Sequence, residues 1–155
     1  MRFELLFIGK TKETYLAAGI DDYARRLARY IAVDIKILKE KGIKKGEPEN
    51  VRMEKEGELL LQHVQDTYLV CLDRGGDRLD SPGLAGRLER WEMQSRKKIT
   101  FVIGGPLGLS QEILSRADLR LSLSPMTFTH DMTRLLLLEQ LYRACTIRAG
   151  EKYHK

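Results

Sequence analysis

Cysteine, histidine and tryptophan are all scarce in this chain. Its 155 residues include two cysteines, three histidines, one tryptophan and four prolines. Cys71 and Cys145 sit inside apolar segments with no CxxC spacing. That excludes a disulfide-built scaffold and implies two reduced core thiols in a cytoplasmic protein. The histidines, His63, His130 and His154, are scattered, so no ligand cluster is visible and no metal is expected. No run approaches the roughly 20 apolar residues of a membrane span, so no membrane partner is expected. The opening MRFELLFIGK is interrupted by Glu4 and no small-residue cleavage site follows, so it reads as a first strand. Phosphate-cradling GxxxxGK[ST] and dinucleotide-binding GxGxxG are both missing, as is the nucleophile turn GxSxG. Bound nucleoside triphosphate, NAD and serine-nucleophile chemistry are therefore disfavoured.

What is present is ordinary for a globular protein: 43% hydrophobic and 32% charged residues. The length supports one hydrophobic core, and no repeat, low-complexity segment or linker divides it. A single domain over residues 1–155 is expected. The net charge of +5 suits an anionic partner such as nucleic acid without deciding for one.

Strand and helix patterns alternate along the chain. Phe3 to Ile8 reads as a strand closed by Gly9. Leu16, Ile20, Tyr23, Leu27 and Tyr30 form a helical stripe over 14–30. Ala32 to Leu38 alternates as a second strand. Residues 39–50, KEKGIKKGEPEN, read as an exposed loop or a basic arm over RNA phosphates, and Val51 to Val64 as a helix. TYLVCL at 67–72 is a strand buried on both faces, followed by a glycine turn, Asp73 to Asp77. Ser81-Pro82 then reads as a helix cap and first helical position. Ile99 to Ile103 is another buried strand, with Gly104-Gly105-Pro106-Leu107-Gly108 directly after it. Ser110 caps a short helix, and Leu119 to Leu123 is the last strand. The pattern predicts an α/β domain with a mostly parallel sheet.

The final stretch carries most of the information. From about His130 to Arg148 the periodicity predicts a helix, ended by Gly150. Leu135, Leu136, Leu137, Leu138 and Leu141 cover too much of its circumference for one face. Such a helix is buried on most sides, by a partner subunit or inside the fold. In open α/β sheets ligands collect beyond the carboxyl ends of strands. Three such ends stand out here: Leu72-Asp73, Gly104-Gly105-Pro106, and the uncharged loop Leu123 to Phe128. Glycine backbone opposite an apolar loop suits a flat, mostly apolar group such as adenine, and spacing alone fits a strand-to-helix turn with no ligand equally well.

Taken together, FVIGGPLGLS, LSLSPMTFTHDMTRLLLLEQLYRA and the terminal YHK resemble the bacterial 23S rRNA pseudouridine N3-methyltransferases of the SPOUT class. The resemblance spans the chain, including LDRGG and the SPGLAGRLERW helix. It implies a SPOUT-type α/β-knot, with helices on both faces of the sheet, a C-terminal trefoil knot and a homodimer. It also implies S-adenosyl-L-methionine as cofactor, bound by Leu72, Gly104, Gly105, Leu123, Ser124, Pro125, Met126, Thr127 and Phe128. The implied reaction is methyl transfer to N3 of a pseudouridine of 23S rRNA in assembled 70S ribosomes, without a metal. Loss of the N3 proton calls for a base or a stabilising cation. His154 with Tyr153 beside it, reaching the cofactor site of its own or the other subunit, is the first candidate, and Arg143 and His130 are second-line candidates for holding phosphate or base. The alternatives are a SPOUT methyltransferase acting on another RNA such as tRNA, and a non-catalytic ribosome-binding module.

Overall fold

The unbroken apolar runs become the inner strands of one sheet, and the alternating run becomes its edge. The computed structural model describes residues 1–155. Its elements in order are β1 (Arg2–Ile8), α1 (Thr14–Leu27), β2 (Ala32–Leu38), α2 (Glu49–Leu61), β3 (Tyr68–Arg78), α3 (Ser81–Met93), β4 (Lys98–Ile103), α4 (Gln111–Arg116), β5 (Leu119–Ser122) and α5 (His130–Arg148). The five strands pair in the order β2-β1-β4-β3-β5, and every pairing is parallel. Beyond Arg2, β1 is buried throughout, and β4 is buried beyond Lys98. β2, with one neighbour, alternates between half-buried and exposed over most of its length.

The period-two alternation of the central strands divides the core between the two faces. On one face Phe3, Leu5, Phe7, Phe101 and Ile103 meet α1, α3 and α5 through Ile20, Leu88, Trp91 and Leu138. On the other, Leu6, Ile8, Cys71 and Val102 meet α2 and α4 through Leu60 and Ile113. Helices therefore cover both faces, as expected. α5 packs against α1, α3 and β4, which accounts for its wide apolar surface. Leu137, Leu138 and Leu141 are completely buried, and Leu135 and Leu136 are half-buried. α1 approaches α5 closely at Gly19, where a Cβ would come 2.9 Å from Leu135 Cδ1.

Three local expectations need correction. Asp73 to Asp77 is not a turn: β3 continues to Arg78, with an irregularity that sets both Leu72 and Asp77 opposite Leu121 of β5. Glycine is required there because a Cβ at Gly76 would lie 2.5 Å from the Arg120 carbonyl oxygen; the residue serves backbone approach inside a bulge. The cap of α3 is Asp80, which accepts from the Gly83 N–H at 2.7 Å, while Ser81 Oγ donates to Gln140. α1 stops at Leu27 because Arg29 and Tyr30 tighten into bonds to Arg26 and Leu27 carbonyls three residues back.

Glu4, the charge that breaks the opening apolar run, is 5% exposed. It accepts from Lys36 Nζ at 2.5 Å and Thr100 Oγ1 at 3.2 Å, with Lys98 Nζ at 3.9 Å. Burial raises its pKa, but the bond and charge of Lys36, then Lys98 and Thr100, together hold it below the usual carboxylate range. A depressed folded pKa stabilises the fold above the unfolded value of about 4.3, and that contribution is lost as pH falls through the folded value. Glu4→Gln is expected to be less stable than the parent at pH 7. Its urea midpoint should then fall less than the parent's on acidification through that window. Parallel acid limbs for the two proteins would contradict this.

Candidate functional site

The carboxyl ends of β3, β4 and β5 open onto a cavity of about 800 Å³, within the range that accepts a nucleoside-sized ligand. Its apolar lining includes Leu72, Ile103, Leu109, Leu121, Leu123 and Phe128. One wall is the turn after β4. Gly108 N–H donates to Gly105 O at 3.0 Å, and Gly108 takes φ +85°. A Cβ on Gly104 would lie 2.7 Å from the Gly108 carbonyl oxygen, so the turn closes only around a glycine. The opposite wall is the loop from Leu123 to Thr129. Ser124 Oγ accepts from Met126 N–H at 3.0 Å, and Ser122 Oγ donates to Ser124 O at 3.1 Å, fixing that loop locally. Of the nine residues expected to hold a cofactor, all but Pro125 line this cavity.

The charges at the cavity are few. Asp73 is taken up by Arg120, which donates to it from Nε at 3.1 Å and Nη2 at 2.5 Å. Arg74 reaches across to Thr127 Oγ1 at 2.5 Å. His130 and Thr133, on the first turn of α5, complete the lining. Burial pushes the His130 imidazole below its ordinary pKa; Asp131, 3.4 Å away, opposes that, and Arg134 and Lys12 add to it. His130 is thus biased towards the neutral form.

The start of α5 is fixed from below by a buried ion pair. Arg134 is 0% exposed and donates to Ile8 O at 2.7 Å and Thr11 Oγ1 at 3.0 Å. Its guanidinium lies 4.7 Å from the Phe7 ring centroid and 3.4 Å from Asp131 Oδ1. Asp131 Oδ2 in turn accepts from the Lys12 N–H at 2.9 Å. The loop after β1 and the cavity-lining turn of α5 are therefore held as one piece.

Arg143, Tyr153 and His154 lie elsewhere. Gly150, at φ +70°, turns the chain back at the end of α5. Tyr153 Oη then meets Tyr23 Oη at 3.1 Å and donates to Glu139 Oε1 at 3.0 Å. Arg143 pairs with Glu139 and lies 4.6 Å from the Tyr153 ring centroid. Burial, with the bonds to Tyr23 and Glu139, pushes the Tyr153 hydroxyl well above the usual tyrosine range. His154 is half-buried, and its Nδ1 is buried without a hydrogen-bond partner. None of the three lines the cavity. At 1.5 Å per residue, Arg143 is roughly 20 Å along the helix from His130. One chain does not bring the two groups together.

A family model described as a predicted SPOUT methyltransferase matches residues 1–154. The chain belongs to the SPOUT methyltransferase family. A relative from Desulfotalea psychrophila, named ribosomal RNA large subunit methyltransferase H, is 53% identical, with 100% of both chains covered. Relatives with the same name from Halothermothrix orenii and Clostridium botulinum strain Langeland are 44% and 42% identical, again over 100% of both chains. Among solved structures, the probable methyltransferase from Bordetella pertussis superposes with a TM-score of 0.58 at 13% identity, covering 93% of this chain and 96% of that one. TrmJ from Z. mobilis gives 0.54 at 10%, covering 92% and 69%. At those identities the likeness concerns the fold alone.

Within this SPOUT chain, sequence reasoning missed Arg74, Leu109 and Thr133 as cavity residues. Arg74 falls in the Asp73–Asp77 stretch, whose paired glycines mimic a turn. Leu109 was hidden between the glycine turn and the Ser110 cap. Thr133 carried a usable signal: it lies one helical turn after Thr129. No helix is long and apolar enough to cross a membrane.

Proposed function

We propose that this SPOUT chain, acting as a single domain over residues 1–155 and as a homodimer, is an rRNA methyltransferase of the large ribosomal subunit. Its methyl donor is S-adenosyl-L-methionine, and its substrate is N3 of a pseudouridine of 23S rRNA in the assembled 70S ribosome. The observation that carries this reading is the cavity between the Gly104–Gly108 turn and the Leu123–Phe128 loop. It occurs in a chain matched end to end by relatives named for large-subunit rRNA methylation. The residues fit the donor: an apolar floor for a base, glycine backbone for close approach, and space for a nucleoside. The C-terminal trefoil knot belongs to this proposal too.

When bound, the donor supplies an electrophilic methyl on a sulfonium centre. The chain supplies placement and proton handling. Leu72, Leu123 and Phe128 offer apolar contact. Gly104 and Gly105 present backbone groups, with Ser124, Pro125, Met126 and Thr127 forming the opposing loop. N3–H of the substrate base must lose its proton as nitrogen attacks. His154 is the group assigned to accept it. Tyr153 and Arg143 hold the tail that carries His154, and Arg143 remains a cation for substrate phosphate. Because tail and cavity lie apart in one chain, the tail of the second subunit serves the cavity of the first.

The test is single-turnover methyl transfer to 70S ribosomes by His154→Ala. Binding of S-adenosylmethionine should be unchanged, while the transfer rate falls about 100-fold or more. Transfer at the parental rate would remove His154 from its role.

A further inference from the structure

Glu56 is the least accounted-for acid in the molecule. It sits on α2 and is 2% exposed. Neither carboxylate oxygen has an aligned hydrogen-bond donor. Burial, then the charge of Glu40, pushes its pKa up; Arg52 and the nearby Gly105 amide oppose that rise. Arg52, one turn earlier on α2, does not bond to it, and Arg52 Nε is itself buried without a partner. A buried carboxyl without an aligned donor costs stability, and such a group calls for an explanation.

What Glu56 touches is the back of the cavity wall. A Cβ on Gly105 would come 2.8 Å from Glu56 Oε1 and 3.0 Å from Oε2. Gly105 has no positive φ, so backbone conformation does not require glycine there. The carboxyl group of Glu56 does. An exposed glutamate would swing away, but burial closes that route. The next residue repeats the pattern: a Cβ on Gly57 would lie 2.1 Å from Ser110 Oγ, which accepts from Ile113 N–H and caps α4. Adjacent residues of α2 thus press on both ends of the segment from Gly105 to Ser110. Glu56 itself does not line the cavity.

We infer that Glu56 is a positioning residue for the methyl donor: its carboxyl group, seated behind Gly105, sets where the turn after β4 stands and so shapes the cavity wall. The inference rests on the reading of the cavity as the donor site. It is tested by isothermal titration of S-adenosylmethionine into the full chain and four variants, with thermal unfolding of each without ligand. Glu56→Ala should bind at least about tenfold more weakly, with little loss of melting temperature, since removal of a buried unpaired carboxyl offsets the space left behind. Glu56→Gln, of the same shape, should stay within about threefold of the parent. Gly105→Ala should weaken binding, and Glu56→Ala/Gly105→Ala should bind better than Gly105→Ala alone, because the added methyl then has room. Parental affinity in Glu56→Ala, or a double variant weaker than both singles, would overturn the inference. Loss of binding in proportion to lost melting temperature would reduce Glu56 to a structural role and overturn it too. Failure of the unsubstituted protein to bind S-adenosylmethionine would instead strike the donor-site reading, and this inference with it.

Discussion

Arg134→Ala is expected to lower unfolding free energy by about 3–5 kcal/mol, the loss typical when one partner of a buried ion pair is removed. The side chain is fully buried and holds Ile8 O and Thr11 Oγ1 by separate guanidinium nitrogens. Its loss leaves the Ile8 carbonyl without that donor and the buried Asp131 carboxylate without its nearest guanidinium. Burial already pulls the Arg134 pKa below its ordinary value, with the charge of Asp131 opposing. Arg134→Lys keeps the charge but not the fork that reaches both acceptors, and should fall between parent and alanine variant. Equilibrium urea unfolding measures all three. A loss under about 1 kcal/mol for Arg134→Ala would contradict the arrangement, because total stability of a domain is only about 5–15 kcal/mol and an ordinary surface change lies well below 1.

Gly104→Ala is expected to weaken binding of the methyl donor about 100-fold or more, equivalent to about 2.7 kcal/mol. The added Cβ would stand 2.7 Å from Gly108 O, 2.8 Å from Gly108 C and 3.1 Å from Leu109 Cδ2. Two of these are backbone atoms in a turn closed by its own hydrogen bond, so relief requires the turn to open. Gly86→Ala is the control. It lies inside α3, where a Cβ meets nothing within 4 Å, and alanine there should stabilise the helix by up to about 1 kcal/mol without touching binding. Calorimetric titration of both variants decides it. Parental affinity in Gly104→Ala would place the donor elsewhere.

Much of the fold is legible in the sequence because burial writes itself as periodicity. The helix His130–Arg148 matches its predicted bounds: Thr129 and Gly150 punctuate it and its apolar residues repeat at helical spacing. β4 reads equally well, as an unbroken apolar run. Where local signals compete, reading fails. Gly75-Gly76 looks like a turn, yet it continues a strand because the neighbouring Arg120 backbone demands close approach. Ser81 before Pro82 looks like a cap, yet Asp80 takes that place and frees Ser81 for Gln140. Arg134 has the residue type of a solvated face. Its burial follows from the Ile8 carbonyl more than a hundred positions away, which no window of sequence contains. The candidate site divides the same way. The cavity walls are contiguous segments at strand ends and could be read directly. The pairing of Glu56 with Gly105, and the separation of His154 from the cavity, are facts of tertiary placement.

The measurement that bears most directly on the central claim is methyl transfer from labelled S-adenosylmethionine to ribosomes lacking the modification. Free 23S rRNA and bulk tRNA run alongside. The predicted result is label on 70S particles alone, lost when the target pseudouridine is replaced by uridine. Label on tRNA, or cofactor binding with no label on any RNA, would contradict it.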